Sequence, residues 1–454
     1  MDRLRTIGRR WIGRLCFVCL SSGIFTFELV RGLSTINLRL DLFAIIIIVG
    51  TIQAVISAVT FSSVLSLSGL VFIVQLLDPL DDRLTARLRD RLSWRDTRSS
   101  TSEPVTVSED DPVGAIVPVY TDAAILDKSV TSLIASTVPV NVYIVCEPDD
   151  GPSITRARTL ASRYEPVYCL INERYTGTKA GAINFAVEET DETYIGVFDA
   201  DESVHPKFLE TALEGLESYD IVQGRTVPRA PGVIEAFAYY ESVLLSYVTS
   251  RVLNLVTGFK LAASRAVVLH RSAFESVDGY DPEMVTEDYE FAYRCYRNGL
   301  SVKEQLRYPS TIEAAHTIDD WWGQRKRWMS GYAQVLHLLV REWLPPRSFR
   351  DLLSVGICLS SVFGNLLLLS LTAKFVVLVV MGDPVLSMLP LVTIVAITGL
   401  VRGIDYANGT VDRIGWEWLL TPLVFPLYGL AATKAITEYA IEGTTDWYHV
   451  EKGV

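Results

Sequence analysis

From Leu42 to Leu77 the chain runs "LFAIIIIVGTIQAVISAVTFSSVLSLSGLVFIVQLL" without one charge. A membrane-spanning helix needs about 20 apolar residues, so this stretch predicts one long helix leaving the membrane or two tight spans. A shorter apolar run from about 15 to 30, interrupted by Glu28, precedes it. It follows an Arg-rich start (Arg3, Arg5, Arg9, Arg10, Arg14) that has the charge of a signal peptide but no A-x-A cleavage site. Arg83, Arg87, Arg89, Arg91 and Arg95 come after the long stretch. Positive residues beside a span mark its cytoplasmic side. Both the N-terminus and the region after 80 are therefore expected in the cytoplasm, with two crossings between them. A second apolar region at 352–435 holds candidate spans at 353–380, 385–401 and 417–435, broken at "MGDP" and "RGIDYANGTVDRIG". Lys374 is the odd charge there, expected to snorkel or to lie in an interfacial piece.

Between these regions the periodicity changes. Short β-rich runs stand at "VGAIVPV" (113–119), "VNVYIVC" (140–146), "EPVYCLI" (165–171), "TYIGVFDA" (193–200) and "DIVQGRT" (220–226). Helical patterns such as "DKSVTSLIAS" and "SITRARTLASRY" separate them. Alternating strands and helices predict an α/β domain with a mostly parallel sheet and a ligand crevice at the carboxyl ends of its strands. The chain thus divides into an N-terminal membrane region (1–80), a basic and polar linker (81–111), the α/β domain (112–335), an interfacial segment (336–351), a C-terminal transmembrane region (352–435) and a tail (436–454).

Composition supports a mixed membrane and water-exposed chain: 49% hydrophobic over 454 residues, mean hydropathy +0.27. A formal net charge of −12 excludes nucleic acid as the main partner, because phosphate binding needs a basic surface. Lys supplies 9 of the 41 basic residues. An acidic, Lys-poor chain fits a halophilic source, and a GC-rich genome gives the same Arg bias. Cys16 and Cys19 form a CxxC inside an apolar stretch and read as buried small side chains.

Candidate chemistry sits in five places. "VFDADES" puts Asp199 and Asp201 just past a predicted strand. Carboxylates two apart can share one hard cation, Mg²⁺ or Mn²⁺, with phosphate oxygens; an ordinary capped turn is the plain alternative. "VTEDYEF" holds Thr286, Glu287 and Asp288 at a predicted helix start, where Thr286 would cap and the acids would favour the N-terminus, or Asp288 would act as a general base. In "TGTKAGAINFAVEE", Lys179 among small residues can approach a diphosphate, or be a solvated Lys at a helix start. "IVCEPDDG" carries Glu147, Asp149 and Asp150, acceptors for a base or ribose, or an acidic turn. "WWGQRKRWMSG" brackets basic residues with Trp.

Taken in order, the acidic strand end, Lys-Ala-Gly-Ala, DxD, "VQGR", TED and QxxRW (Gln324, Arg327, Trp328), with apolar stretches on both sides, resemble the processive, membrane-integrated glycosyltransferases of family 2. That group includes cellulose, chitin and hyaluronan synthases. The resemblance covers about 112–335 in motifs and most of the chain in layout. It implies a GT-A (Rossmann-like) glycosyltransferase domain between N- and C-terminal transmembrane helices of a multi-pass cell-membrane protein, its catalytic face cytoplasmic. It further implies a nucleotide-sugar donor, most often a UDP-sugar, and Mg²⁺ or Mn²⁺ on Asp201 and Asp199. Asp288, beside Glu287, would be the catalytic base. Glu147, Lys179, Asp199, Gln324 and Arg327 would bind the donor, and Trp328 would bind the acceptor, a polysaccharide or a lipid. Trp321 and Trp322 would be interfacial anchors and Lys326 a neighbour of lipid phosphate. The sequence departs from the family at "EPDDG", which puts the Glu147 contact in question. It departs also at "GFKLAASRAVVLHRSAF", and where His316 stands in place of a common Pro. His205 lies close enough in sequence to approach the metal. A single transfer to a lipid, and a non-catalytic scaffold or transporter, are the rival readings. The tail "WYHVEKG" resembles a cytoplasmic end in this family, which requires an even number of spans after the domain.

Overall fold

The computed structural model describes residues 2–33, 41–77, 111–342, 346, 348–380 and 384–443. The Arg-rich stretch after 80, the polar linker up to 110 and the "WYHVEKG" tail lie outside the described residues. Two helices open the chain, α1 (Asp2–Leu33) and α2 (Asp41–Leu77). The uncharged stretch is thus one continuous helix, not two tight spans.

The α/β unit follows. Strand β1 (Val113–Val119), helix α3 (Leu126–Ile134), β2 (Val140–Cys146), α4 (Gly151–Arg163) and β3 (Val167–Ile171) form its first half. Helix α5 (Lys179–Glu188), β4 (Tyr194–Val197), α6 (Phe208–Leu216) and β5 (Ile221–Pro228) continue it. Helix α7 (Val233–Glu241) passes through a π-helical turn, Ser242–Val248, into α8 (Ser250–Thr257). Then come β6 (Val267–His270), α9 (Arg271–Glu275), α10 (Glu287–Arg297) and β7 (Val302–Ile312).

These strands make one seven-stranded sheet in the order β3-β2-β1-β4-β6-β5-β7. Only β6 runs antiparallel to its neighbours β4 and β5. The Val/Ile runs of β1 and β2 are apolar on both faces because both faces are covered. One core packs α5 and α10 against the sheet, with Ile183, Phe291 and Tyr293. The opposite core gathers α3, α4 and α6, with Leu126, Leu160 and Phe208. The expected α/β fold of GT-A type between apolar helices is what the structure holds. Strands β6 and β7 were not expected. The first has four residues, and the second, "VKEQLRYPSTI", carries Lys303, Glu304 and Arg307 in its first half and Pro309 in its second.

Register places the chemistry. Val119 pairs with Cys146 and Ile116 with Val197, so the parallel strands β1, β2 and β4 all end at one edge. Chain order reverses direction on either side of β1, and such a switch point opens a crevice beyond the carboxyl ends of the strands.

The long helix α11 (Ile318–Glu342) leads from the sheet to α12 (Phe349–Val380), α13 (Pro384–Ala407), a 3₁₀ turn (Glu417–Leu423) and α14 (Val424–Glu442). Among the described residues three helices are long and apolar enough to cross a membrane: Val49–Leu77, Val385–Ala407 and Glu417–Glu442. There are four if Phe349–Asn365 and Leu367–Val380, bent by 47°, count as one span. Helix α13 continues past Arg402 and Asp405, where a break was expected. Both charges are buried and engaged: Asp405 accepts hydrogen bonds from Arg225 and Tyr239, and Arg402 lies over the Tyr239 ring. Lys374 lines a small cavity with Glu28, Arg31 and Thr51. Cys19 is exposed on α1 instead of buried, and the described cysteines are free thiols.

Candidate active site

Two short loops carry the acids. Beyond β4, the turn "DADE" folds back because Asp199 N–H donates to the Glu202 carboxylate at 3.1 Å. The same oxygen accepts from Ala266 N–H at 3.3 Å, and Ser310 Oγ donates to its twin. Glu202 is fully buried and ties three segments together: the β4 end, the start of β6 and β7. Burial, then the charge of Asp199, pushes its carboxyl up to about 7. Sequence reasoning passed over Glu202, although an acid directly after a DxD was its signal. Asp201 is buried and accepts Glu313 N–H at 3.1 Å.

Lys179 is the first residue of α5, whose cap is Thr178 accepting from Gly181 N–H. Its ammonium reaches across to Asp199 at 2.5 Å. It is therefore a paired residue of the crevice, not a solvated one. Glu147, just beyond β2, is 8% exposed and uses both carboxylate oxygens within the protein. One accepts from Asn172 Nδ2 and the other from Gly177 N–H, each at 2.8 Å. Glu147 thus clamps the turn that delivers Lys179. Asp150 next to it caps α4 through Ser153 N–H and accepts Thr121 N–H at 2.6 Å.

The acids of "TED" stand at the start of α10. Thr286 does not cap this helix; it lies against Gly331 of α11. A β-carbon on Gly331 would come within 2.3 Å of Thr286 Oγ1 and 2.5 Å of its methyl. Glu287 is buried and accepts from Ser264 Oγ at 2.8 Å. Burial, then Asp288, raises its carboxyl above the usual range, while Lys179 opposes the shift. Asp288 is half-buried and accepts its neighbour Tyr289 N–H at 2.8 Å.

Helix α11 brings the last group. Burial lowers Arg327, and the charges of Glu287, Asp288 and Asp199 oppose that shift. Gln324 accepts from Arg325 at 2.5 Å. Arg325 points the other way: it is 2% exposed, pairs with buried Glu241 at 2.8 Å and stacks between Trp321 and Trp328, 4.8 and 4.9 Å from the rings. Trp321 is 1% exposed, in a core with Ala238 and Ala315. It is no interfacial anchor, and Trp322 packs against the same core. Lys326 pairs with Glu438 of α14 in place of a lipid phosphate. One face of Trp328 is covered by Arg325.

The donor set at Asp199 and Asp201 fits a hard divalent cation: carboxylate oxygens at a strand end. Among the described residues no group of three or more His, Cys, Asp or Glu could hold a metal by itself, so phosphate oxygens would complete the shell. His205 faces elsewhere. It stacks on Tyr308 at 4.5 Å and accepts Lys207 N–H through Nδ1. His316 pairs with Glu235 at 3.0 Å.

Comparison with known proteins gives this arrangement relatives. Residues 194–431, just over half of the chain, match the family described as Glycosyl transferase family group 2. The chain is 26% identical over 253 residues to the cellulose synthase 1 catalytic subunit (UDP-forming) of Komagataeibacter xylinus, covering 52% of this chain and 32% of that one. It is 25% identical over 253 residues to the beta-monoglucosyldiacylglycerol synthase of Trichormus variabilis, covering 53% and 54%. The match therefore spans between a third and about half of the length of these curated relatives. A solved mannosyltransferase of Pyrobaculum calidifontis, in complex with GDP-Man and Mn²⁺, aligns over 80% of this chain and 97% of its own at 14% identity, with a TM-score of 0.46.

Proposed function

The chain belongs to glycosyl transferase family group 2, and from that premise we propose that it is a membrane-embedded, inverting transferase moving a sugar from a UDP-sugar to an acceptor hydroxyl and extending a polysaccharide. The observation that carries this reading is the Lys179–Asp199 ion pair just beyond the carboxyl end of β4, with Glu287, Asp288 and Arg327 in electrostatic reach of it. Asp201 and Asp199 would hold Mg²⁺ or Mn²⁺ against the donor diphosphate, and a cation there stabilises charge on the departing phosphoryl oxygen. Lys179 and Arg327 approach the same oxygens, Arg with a planar fork that can donate two hydrogen bonds. Gln324 lies beside them on α11. Glu147 acts on the donor by holding the turn before Lys179.

Asp288 takes the proton from the acceptor hydroxyl, which attacks the anomeric carbon from the face opposite the diphosphate. Glu287 sits beside it, bonded to Ser264. Trp328 offers the acceptor sugar the ring face that Arg325 leaves open. The outward apolar side chains of the candidate spans, such as Leu67, Leu70 and Val392, suit bilayer hydrocarbon. A cytoplasmic domain above a multi-pass membrane region follows from the Arg-rich flanks.

One observation favours a second reading, a single transfer to a lipid. The glycolipid synthase relative is as similar as the cellulose synthase subunit, and the match spans more of its length. Release of UDP from a panel of UDP-sugars, by the purified chain in detergent with Mg²⁺ or Mn²⁺, tests both. Release with one donor, lost on adding EDTA, supports the transferase. A ladder of product on a gel means a polymer, and one discrete glycolipid means the second reading. No release from any donor, with oligosaccharide and lipid acceptors supplied, would overturn it.

A further inference from the structure

We propose that Arg265 is a phosphate-binding residue of this site, clamped so that its guanidinium and that of Arg327 meet one phosphoryl group; the inference rests on the transferase reading above. Arg265 stands in "LAASRA", the stretch before β6. Its backbone is fixed from three directions. Ser264, one residue before, donates to Glu287 of the α10 start at 2.8 Å. Ala266, one residue after, donates N–H to Glu202 of the "DADE" turn at 3.3 Å. Gln223 of β5 donates to the Arg265 carbonyl at 3.0 Å and accepts Ala263 N–H at 2.6 Å. Ala266 adopts φ +44°, and Gly224 has no side chain where the Ala266 carbonyl would lie 2.9 Å from a β-carbon. Such a left-handed residue is costly and persists only where its surroundings fix it.

The side chain so positioned is half-buried, and among the described residues no group accepts a hydrogen bond from its guanidinium. A planar fork of five donors is thus held unfilled between the two acidic loops. Burial disfavours its charge, yet Asp199, Asp288 and Glu202 keep it above its ordinary value. Asp199 and Asp288 act electrostatically on Arg327 as well, so both arginines stand within reach of the same acids. Two guanidinium groups close together suit a multiply charged oxyanion better than a neutral sugar. The shared chemistry is phosphate, supplied by the donor's diphosphate or by the phosphate of a lipid acceptor.

The test is calorimetric binding of UDP with Mg²⁺, and separately of farnesyl phosphate, to the full chain in detergent. Wild type is compared with Arg265→Ala and Arg265→Lys, with near-UV circular dichroism as the fold control. The alanine variant is expected to lose about tenfold or more in affinity for one probe, with the lysine variant between and the dichroism unchanged. Loss confined to UDP assigns the donor diphosphate; loss confined to farnesyl phosphate assigns a lipid acceptor. Equal affinity of wild type and variants for both probes would overturn the inference while leaving the transferase reading intact. If the alanine variant does not fold, the lysine variant alone decides by the same comparison. Wild type that binds neither probe would remove the transferase reading and this inference with it.

Discussion

Arg325 and Arg327 are two positions apart and face opposite ways. Two residues of a helix turn through roughly 200°, so one arginine enters the core and the other the acidic site. Arg325 is held by Glu241 and two Trp rings, and Arg327 by the charges of Glu287, Asp288 and Asp199. Asp288 is a half-buried acid whose neighbour Glu287 is buried and bonded to Ser264. Of the two, Asp288 is the one accessible to an acceptor proton. Asp288→Asn is expected to keep UDP binding within a few-fold of wild type while sugar transfer falls by about 10²–10⁴-fold, the usual contribution of a general base. Calorimetry and UDP release on the same preparation check this, and normal turnover would remove Asp288 from the role.

Helix α11 shows why the QxxRW spacing extends to a glycine. Gln324, Arg327, Trp328 and Gly331 follow at three, four and seven positions, which is one helical face. Gly331 lets that face close on Thr286, the residue before Glu287 and Asp288. A methyl at 331 would force Thr286, and with it the start of α10, to shift. Overpacking of this kind costs about 1–3 kcal/mol. Gly331→Ala is therefore expected to retain helical dichroism, melt lower and transfer sugar at a clearly reduced rate. Unchanged activity would mean that the contact between α10 and α11 does not set the site's geometry.

The sheet is joined to the apolar helices by buried charge. Arg225 of β5 makes a two-pronged ion pair with Asp405 of α13, at 2.7 and 2.6 Å, across 180 positions of sequence. Phe72 of α2 lies under Arg225 and Arg251, at 5.4 and 5.2 Å. Arg251 itself pairs with Glu304 of β7 at 2.7 Å. Removing one partner of such a pair strands the other charge and costs about 3–5 kcal/mol, whereas replacing both by apolar residues is often neutral. Asp405→Ala is expected to lower the melting temperature strongly. Arg225→Met combined with Asp405→Leu should recover most of the loss, as read by thermal unfolding in detergent. A double variant as unstable as the single one would show that the pair itself holds the two parts together.

Much was written along the chain. The Val and Ile runs of β1 and β2 predict strands at their observed bounds, because strands covered on both faces need apolar residues throughout. The uncharged stretch predicts an apolar helix for the same reason: local composition answers to local surroundings. The acids of "DADE" and "TED" are legible as candidates because each follows a recognisable element end. The sequence could not say who meets whom. Trp321 and Lys326 look interfacial in a basic, Trp-rich stretch, but their partners are Arg325 and Glu438. Arg402 and Asp405 look like a helix break, since unpaired charge ends an apolar helix, and they remain in α13 because Arg225 and Tyr239 meet them there. Arg265 reads as one base among small residues until Ser264, Ala266 and Gln223 fix it between the two acidic loops. Periodicity records which way a residue faces. Charge pairing depends on distances between segments far apart in sequence, and only the closed sheet and its packed helices set those distances.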